Sequence, residues 1–134
     1  MTMPTQMVTE PPRLSGLIKL EEDQSYCRED VTVLAGSGAD RVLTIGTILG
    51  QISNSGKVLD LQLAATDGSQ NVYGLLVTNT TAPNGVDADG VALVRGPAIV
   101  ADVALIYPAS ATAPQKAAIN SAIAGLGIVI RTGV

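Results

Sequence analysis

Histidine, tryptophan and phenylalanine are absent from the 134 residues of this chain, and cysteine occurs once, at Cys27. Without histidine there is no Ser–His or Cys–His pair, no general base tuned near neutral pH and no imidazole for zinc. One cysteine forms no disulfide within the chain and no thiolate-rich metal site. Aromatics make up 2% of the sequence, as Tyr26, Tyr73 and Tyr107, so stacking platforms for bases or sugar rings are scarce. Charge is sparse and leans acidic, 8 Lys+Arg against 12 Asp+Glu for a formal net charge of -4. Phosphate backbones need the opposite sign, so no nucleic-acid partner is expected. Long apolar runs are missing too: the richest stretch, 98–107, contains Asp102 and stops at Pro108, well short of the ~20 residues that cross a bilayer. No membrane partner is expected. Residues 1–16 lack a basic start followed by an apolar stretch, so no signal peptide is expected and the chain should stay where it is made.

What remains is aliphatic. The hydrophobic fraction is 46% and the mean hydropathy +0.34, which points to one folded domain whose core is built from Val, Ile, Leu and Ala. Residues 1–16 stand apart, with all three methionines and three of the seven prolines (Pro4, Pro11 and Pro12). Proline lacks an amide proton and keeps its predecessor extended. The segment therefore reads as a flexible N-terminal arm, either a frayed end or a segment that orders on a partner, followed by a β domain over residues 17–134.

Short β-rich runs separated by turn residues mark that domain as mainly β. Strands are expected at 17–20, 31–34, 47–52, 57–63, 72–77, 91–94, 98–100 and 128–131. Gly36–Asp40, Ser53–Gly56, Thr66–Ser69, Pro83–Gly85 and Asp87–Gly90 are the expected reversals, because Asn, Asp and Gly tolerate positive φ or bond their own backbone. Ser53–Gly56 between two apolar runs is the best hairpin signal. Thr112-Ala113-Pro114-Gln115 fits a capping box opening a helix of about three turns. Ile119, Ala122, Ile123 and Leu126 then form one apolar stripe, with Gly125 and Gly127 to end it.

Motifs that carry chemistry fall short. Val86–Gly90 resembles part of a calcium loop, but Gly85 and Gly96 stand at the first ligand and bidentate positions, so it reads as a turn. Gly36-Ser37-Gly38 lacks the rest of a phosphate-binding loop. Glu21, Glu22 and Asp23 read as a solvated acidic run, and Cys27 as a small, partly buried residue. No catalytic constellation, metal site or cofactor is expected.

Between residues 25 and 131 a series of short strings occurs in a particular order. It runs S-Y-C-R-E-D-V-T-V (25–33), I-G-T-I-L-G (45–50), G-K-V (56–58), A-A-T-D-G-S-Q (64–70), Y-G-L-L (73–76), V-A-L-V-R-G-P-A (91–98), A-L-I-Y-P-A (104–109), Q-K-A-A-I (115–119) and L-G-I-V-I-R (126–131). In that order they resemble the phage head decoration proteins of the lambda type, departing at Cys27, where Ser is usual, and at Tyr107, where Trp is common. The resemblance implies a single compact β-barrel-like (β-tulip type) domain with one short C-terminal helix and an extended N-terminal arm. It further implies a non-enzymatic capsid decoration (cement) protein that binds the major capsid protein on the outer surface of an expanded phage head and stabilises it against internal DNA pressure. Such a protein is made in the host bacterial cytoplasm and sits as a homotrimer on the virion.

An extended arm with few charges suits strand addition to a sheet edge, and Leu14, Leu17, Ile18 and Leu20 are the apolar groups expected to make that contact. Arg95, Pro97, Tyr107 and Pro108 are candidate trimer contacts, though each also suits an internal turn. Two other functions fit the composition: a β-rich tail or baseplate adaptor of a phage, and a small hydrolase or ligand-binding barrel. The latter needs a pocket of convergent polar groups that no spacing nominates.

Overall fold

A computed structural model describes residues 13–133. Residues 1–12, most of the expected arm, lie outside the described residues. Among the described residues the fold is mainly β, with ten strands and a C-terminal helix. Five strands close on themselves in the order β2 (Arg28–Val33), β5 (Val58–Asp60), β4 (Ile48–Gln51), β6 (Val72–Leu76) and β8 (Ala88–Leu93). The closure is uneven. β2 and β8 pair antiparallel along six positions, from Arg28↔Leu93 to Val33↔Ala88. β2 meets β5 through the single parallel pair Val33↔Val58, extended by the Leu34 amide donating to the Val58 carbonyl at 2.8 Å. The Ser53–Gly56 reversal joins β4 to β5 as an antiparallel hairpin, with Gly56 at φ +74.

A second sheet has the order β1 (Ile18–Glu21), β9 (Ala98–Ala101), β10 (Ile128–Arg131). β1 runs antiparallel to β9, and β10 parallel to it. Parallel neighbours need a crossover, supplied by a 3-10 turn (Asp102–Ala104) and the long helix of residues Ala113–Gly125. That helix follows one-turn helices α1 (Leu14–Leu17) and α2 (Gln24–Cys27), and is α3. Its opening is the capping box expected from sequence: Thr112 Oγ1 accepts from the Gln115 amide at 3.4 Å and Gln115 Oε1 accepts from the Thr112 amide at 2.8 Å. Ile119 and Ile123 are buried; Ala122, expected on the same stripe, is exposed, so the seam against the β body is narrower than the pattern suggested.

Two aliphatic clusters form the interior. Val31, Val33, Leu49, Val58, Leu76 and Ala92 belong to one, drawn largely from the closed sheet. Leu17, Leu75, Val100, Ile119, Ile123 and Ile128 belong to the other, which joins α3 and the three-stranded sheet to the body. No aromatic ring is fully buried among the described residues. Backbones approach closely instead: a Cβ at Gly50 would stand 2.0 Å from the Ser69 carbonyl oxygen, and one at Gly96 1.8 Å from that of Gly127.

Three expectations need correction. β3 (Arg41–Leu43) and β7 (Thr80–Ala82) form a separate two-stranded sheet where no strand was expected, because three-residue strands with Val42 and Thr81 facing solvent carry no apolar run. Asp87–Gly90 is not a turn beyond Asp87: β8 begins at Ala88, and Asp89 and Gly90 pair with Thr32 and Val31. A Cβ at Gly90 would stand 3.1 Å from Thr80 Oγ1, a tight contact. The strand expected at 57–63 is only Val58–Asp60, and Val58 and Leu59 are both buried, so alternation does not sort its two faces.

Candidate functional site

The chain leaves Arg13 extended, makes the single turn α1 and enters β1. One helical turn rotates successive side chains by about 100°, so Leu17 swings inward and is fully buried in the core. Leu14 and Ile18 are half-buried against that core. Leu20 is 50% exposed. The four expected arm contacts are thus neighbours in space, but Leu17 is committed to the interior and β1 already pairs with β9 through Ile18↔Val100, Leu20↔Ile99 and Glu21↔Ala98. The other edge of β1 has no strand beside it among the described residues. Leu14, Ile18, Lys19, Leu20, Gln24 and Arg28 line a shallow groove along it. Lys19 Nζ donates to the Ser15 carbonyl at 2.9 Å. At the far end Arg28 grips Glu21 with two bonds, Nε to Oε2 at 2.9 Å and Nη2 to Oε1 at 2.8 Å. The Glu21 side chain is only 5% exposed, so this acid is no part of a solvated run; Glu22 and Asp23 are exposed.

The candidate trimer contacts occupy two neighbourhoods. Arg95 Nη2 donates to Glu29 Oε1 at 2.7 Å, and Nη1 donates to the Tyr26 carbonyl. The guanidinium lies 5.1 Å from the centroid of the Tyr26 ring, which is 59% exposed. The Glu29 hydrogen bond raises the Arg95 pKa above its ordinary value; burial, with Glu29 nearby, raises that of Tyr73. Exposed Pro97 offers its carbonyl to the Glu22 amide at 3.1 Å. Tyr107 and Pro108 sit beside α3 instead. The Tyr107 hydroxyl donates to Asn120 Oδ1, Lys116 Nζ stands 5.5 Å over the ring, and burial raises the phenol pKa. Pro108 borders a small groove with Val42 and Ile106.

Other groups flagged by sequence are satisfied internally. Asp87 accepts from the Ala35 amide at 2.8 Å and pairs with Lys57 at 2.7 Å; the Lys57 and Ala35 bonds lower its pKa. Cys27 is fully buried, with Sγ 3.8 Å from the Pro97 carbonyl oxygen, where partial burial was expected. No group of three His, Cys, Asp or Glu side chains that could hold a metal exists among the described residues. Asp102 was missed. Its Oδ1 is the one buried side-chain oxygen or nitrogen without a hydrogen-bond partner among the described residues, and it lines a groove between α3 and β10. In sequence this aspartate only interrupts an apolar run, which carries no signal of such a groove.

What these surfaces offer is contact: strand edges unpaired among the described residues, half-exposed aliphatics and fixed charges. No curated protein matches the chain. The family model described as Bacteriophage lambda head decoration protein D matches residues 7–128, most of the sequence. It implies a structural role on the surface of a phage capsid, and the chain belongs to the bacteriophage lambda head decoration protein D family.

Proposed function

We propose that the protein binds the major capsid protein on the outer surface of an expanded phage head and holds the shell against the pressure of packaged DNA, acting as a homotrimer. The observation that carries this reading is the family match over residues 7–128, which reaches into the arm as well as the β body. The arm ahead of Leu14, with its prolines and few charges, is the segment suited to adding a strand to a capsid sheet. Leu14 flanks it, while Leu17 and Ile18 root it in the core. Ordering such a segment costs on the order of 1–2 kcal/mol per residue, so one arm binds weakly. A trimer presents three arms at once, and effective concentration multiplies their attachment. The protein is made in the host cytoplasm and works on the virion surface.

The test is deletion of residues 1–12, which spares buried Leu17 and the β1–β9 ladder. The shortened protein is expected to keep its circular dichroism spectrum and thermal transition yet fail to co-sediment with expanded heads. Undiminished co-sedimentation would overturn the arm's role.

A further inference from the structure

The groove between α3 and β10 encloses about 700 Å³, within the range of ligand clefts. Its lining is part aliphatic, from Ala124, Ile128 and Ile130, and part oxygen-bearing, from Asp102, Tyr107 and Asn120. Asp102 opens the 3-10 turn directly after β9, and Asn120 lies one turn beyond Lys116 on α3. The Tyr107 hydroxyl donates to Asn120 Oδ1, so its own oxygen keeps lone pairs with which to accept. Burial raises the Tyr107 pKa, the Asn120 hydrogen bond lowers it, and the Asp102 charge raises it again, as a carboxylate close to the phenol would. That carboxylate has no cation of its own: no ion pair or hydrogen bond reaches the Asp102 side chain among the described residues. Lys116 instead holds its ammonium 5.5 Å from the centroid of the Tyr107 ring.

We propose that this groove receives the side chain of a lysine on the major capsid protein; the partner's identity rests on the capsid reading above, the ammonium on the groove itself. Asp102 Oδ1 is buried and unpartnered, so the half-buried carboxylate meets the groove through its other oxygen. An unpaired buried oxygen leaves the charge poorly solvated, and a cation brought to the open oxygen offsets that cost. The same burial selects the cation. Guanidinium pairs best through a two-bonded fork that uses both carboxylate oxygens, and here one is out of reach. An ammonium is a compact charge with three donors that turn freely. Asp102, Tyr107 Oη and Asn120 Oδ1 supply acceptors for them, only one of which is charged. A divalent metal wants more carboxylates than that, and no three acidic side chains gather to hold one among the described residues. Ala124, Ile128 and Ile130 give apolar surface for the methylene stem, which lysine buries while its charge stays near water. At about 700 Å³ the groove exceeds a single side chain, so the residues flanking the lysine enter with it. The formal charge of -4 on this chain also favours a basic partner.

Two titrations of the full chain test the site and its occupant separately. In the first, Nα-acetyl-lysine methylamide is added while amide NMR follows Ile128, Ile130 and the Asn120 side chain. These signals are expected to shift together and saturate, and to stay still in Asp102→Asn. Tyr107→Phe keeps the charge but removes one acceptor, and is expected to weaken binding about threefold or more. No shift at tens of millimolar, or an equal response to Nα-acetyl-arginine methylamide or to sodium chloride, would overturn the ammonium site. In the second, binding to expanded heads lacking the protein is measured by quantitative co-sedimentation. Asp102→Asn is expected to raise the Kd about tenfold or more, with its thermal transition confirming the fold. Should Asp102→Asn unfold, Tyr107→Phe makes both comparisons. Equal binding of wild type and variant to heads, with the lysine shifts still present, would overturn the capsid lysine as occupant. A wild type that never binds heads would overturn the capsid reading and that occupant together, while the lysine titration still decides the site.

Discussion

Ile123→Ala measures how firmly α3 is bound to the β body. Ile123 is fully buried and belongs to the same aliphatic cluster as Leu17, Val100 and Ile128, so α3, β9 and β10 share its packing. The substitution removes three carbons, worth about 0.8 kcal/mol each in transfer free energy, or roughly 2.4 kcal/mol. A cavity term is added because a core of Val, Ile and Leu rotamers relaxes only partly, bringing the cost to about 3–4 kcal/mol. For a domain of this size each kcal/mol lowers Tm by about 3–5 °C, so a drop of roughly 10–20 °C is expected. Urea titration at one fixed protein concentration is the assay, since oligomerisation shifts apparent stability by mass action. Ser121→Ala, on the exposed face of α3, should change stability by less than about 0.5 kcal/mol. A loss below about 1 kcal/mol at Ile123 would refute the packing described here and the helix's role in fixing β10.

Arg28→Ala strips the partner from Glu21, whose side chain is 5% exposed. Because the arginine is itself 21% exposed, the expected loss is about 2–3 kcal/mol, below the value for a fully buried pair. The double variant Glu21→Leu/Arg28→Met should recover most of it in the same urea titration, and equal instability of both would contradict the ion-pair account. Acid should also weaken the fold. Hydrogen bonds from the Ser69 side chain and amide lower the pKa of Asp67, and bonds from Lys57 and Ala35 lower that of Asp87, both from 3.8. Groups with depressed folded pKa values stabilise fully above the ordinary value, and that contribution disappears as pH falls through the folded values. Urea midpoints should therefore drop as pH falls below the ordinary carboxylate range, and less steeply for Asp87→Asn; identical profiles would remove Asp87 from the explanation.

Local signals were legible where a segment's own residues decide its structure. The Thr112–Gln115 box opens α3 as its side chains require, and β10 spans Ile128–Arg131 as expected. Segments decided by distant partners were not. β3 and β7 exist because each finds the other across 37 residues of chain, Leu43 against Thr80, and neither carries enough apolar character to announce itself. An extended chain leading into a strand at 17–20 presents Leu17 to a sheet edge. The turn of α1 directs it inward, and that turn has no side-chain cap to signal it. The Asp102 groove depends on β9, β10 and α3 coming together, which no window of sequence contains. The decoration family was legible because its short strings keep their order along nearly the whole β domain, even though each alone could be any turn or strand.

Retention of packaged DNA reads out the proposed mechanical reinforcement of a filled head. Full heads lacking the protein, and the same heads after saturation with it, are subjected to osmotic shock, and released DNA is quantified by nuclease sensitivity. Bare heads are expected to release their DNA while coated heads retain it, with the deletion of residues 1–12 giving no protection. Equal release from bare and coated heads, with the protein demonstrably bound, would contradict the account.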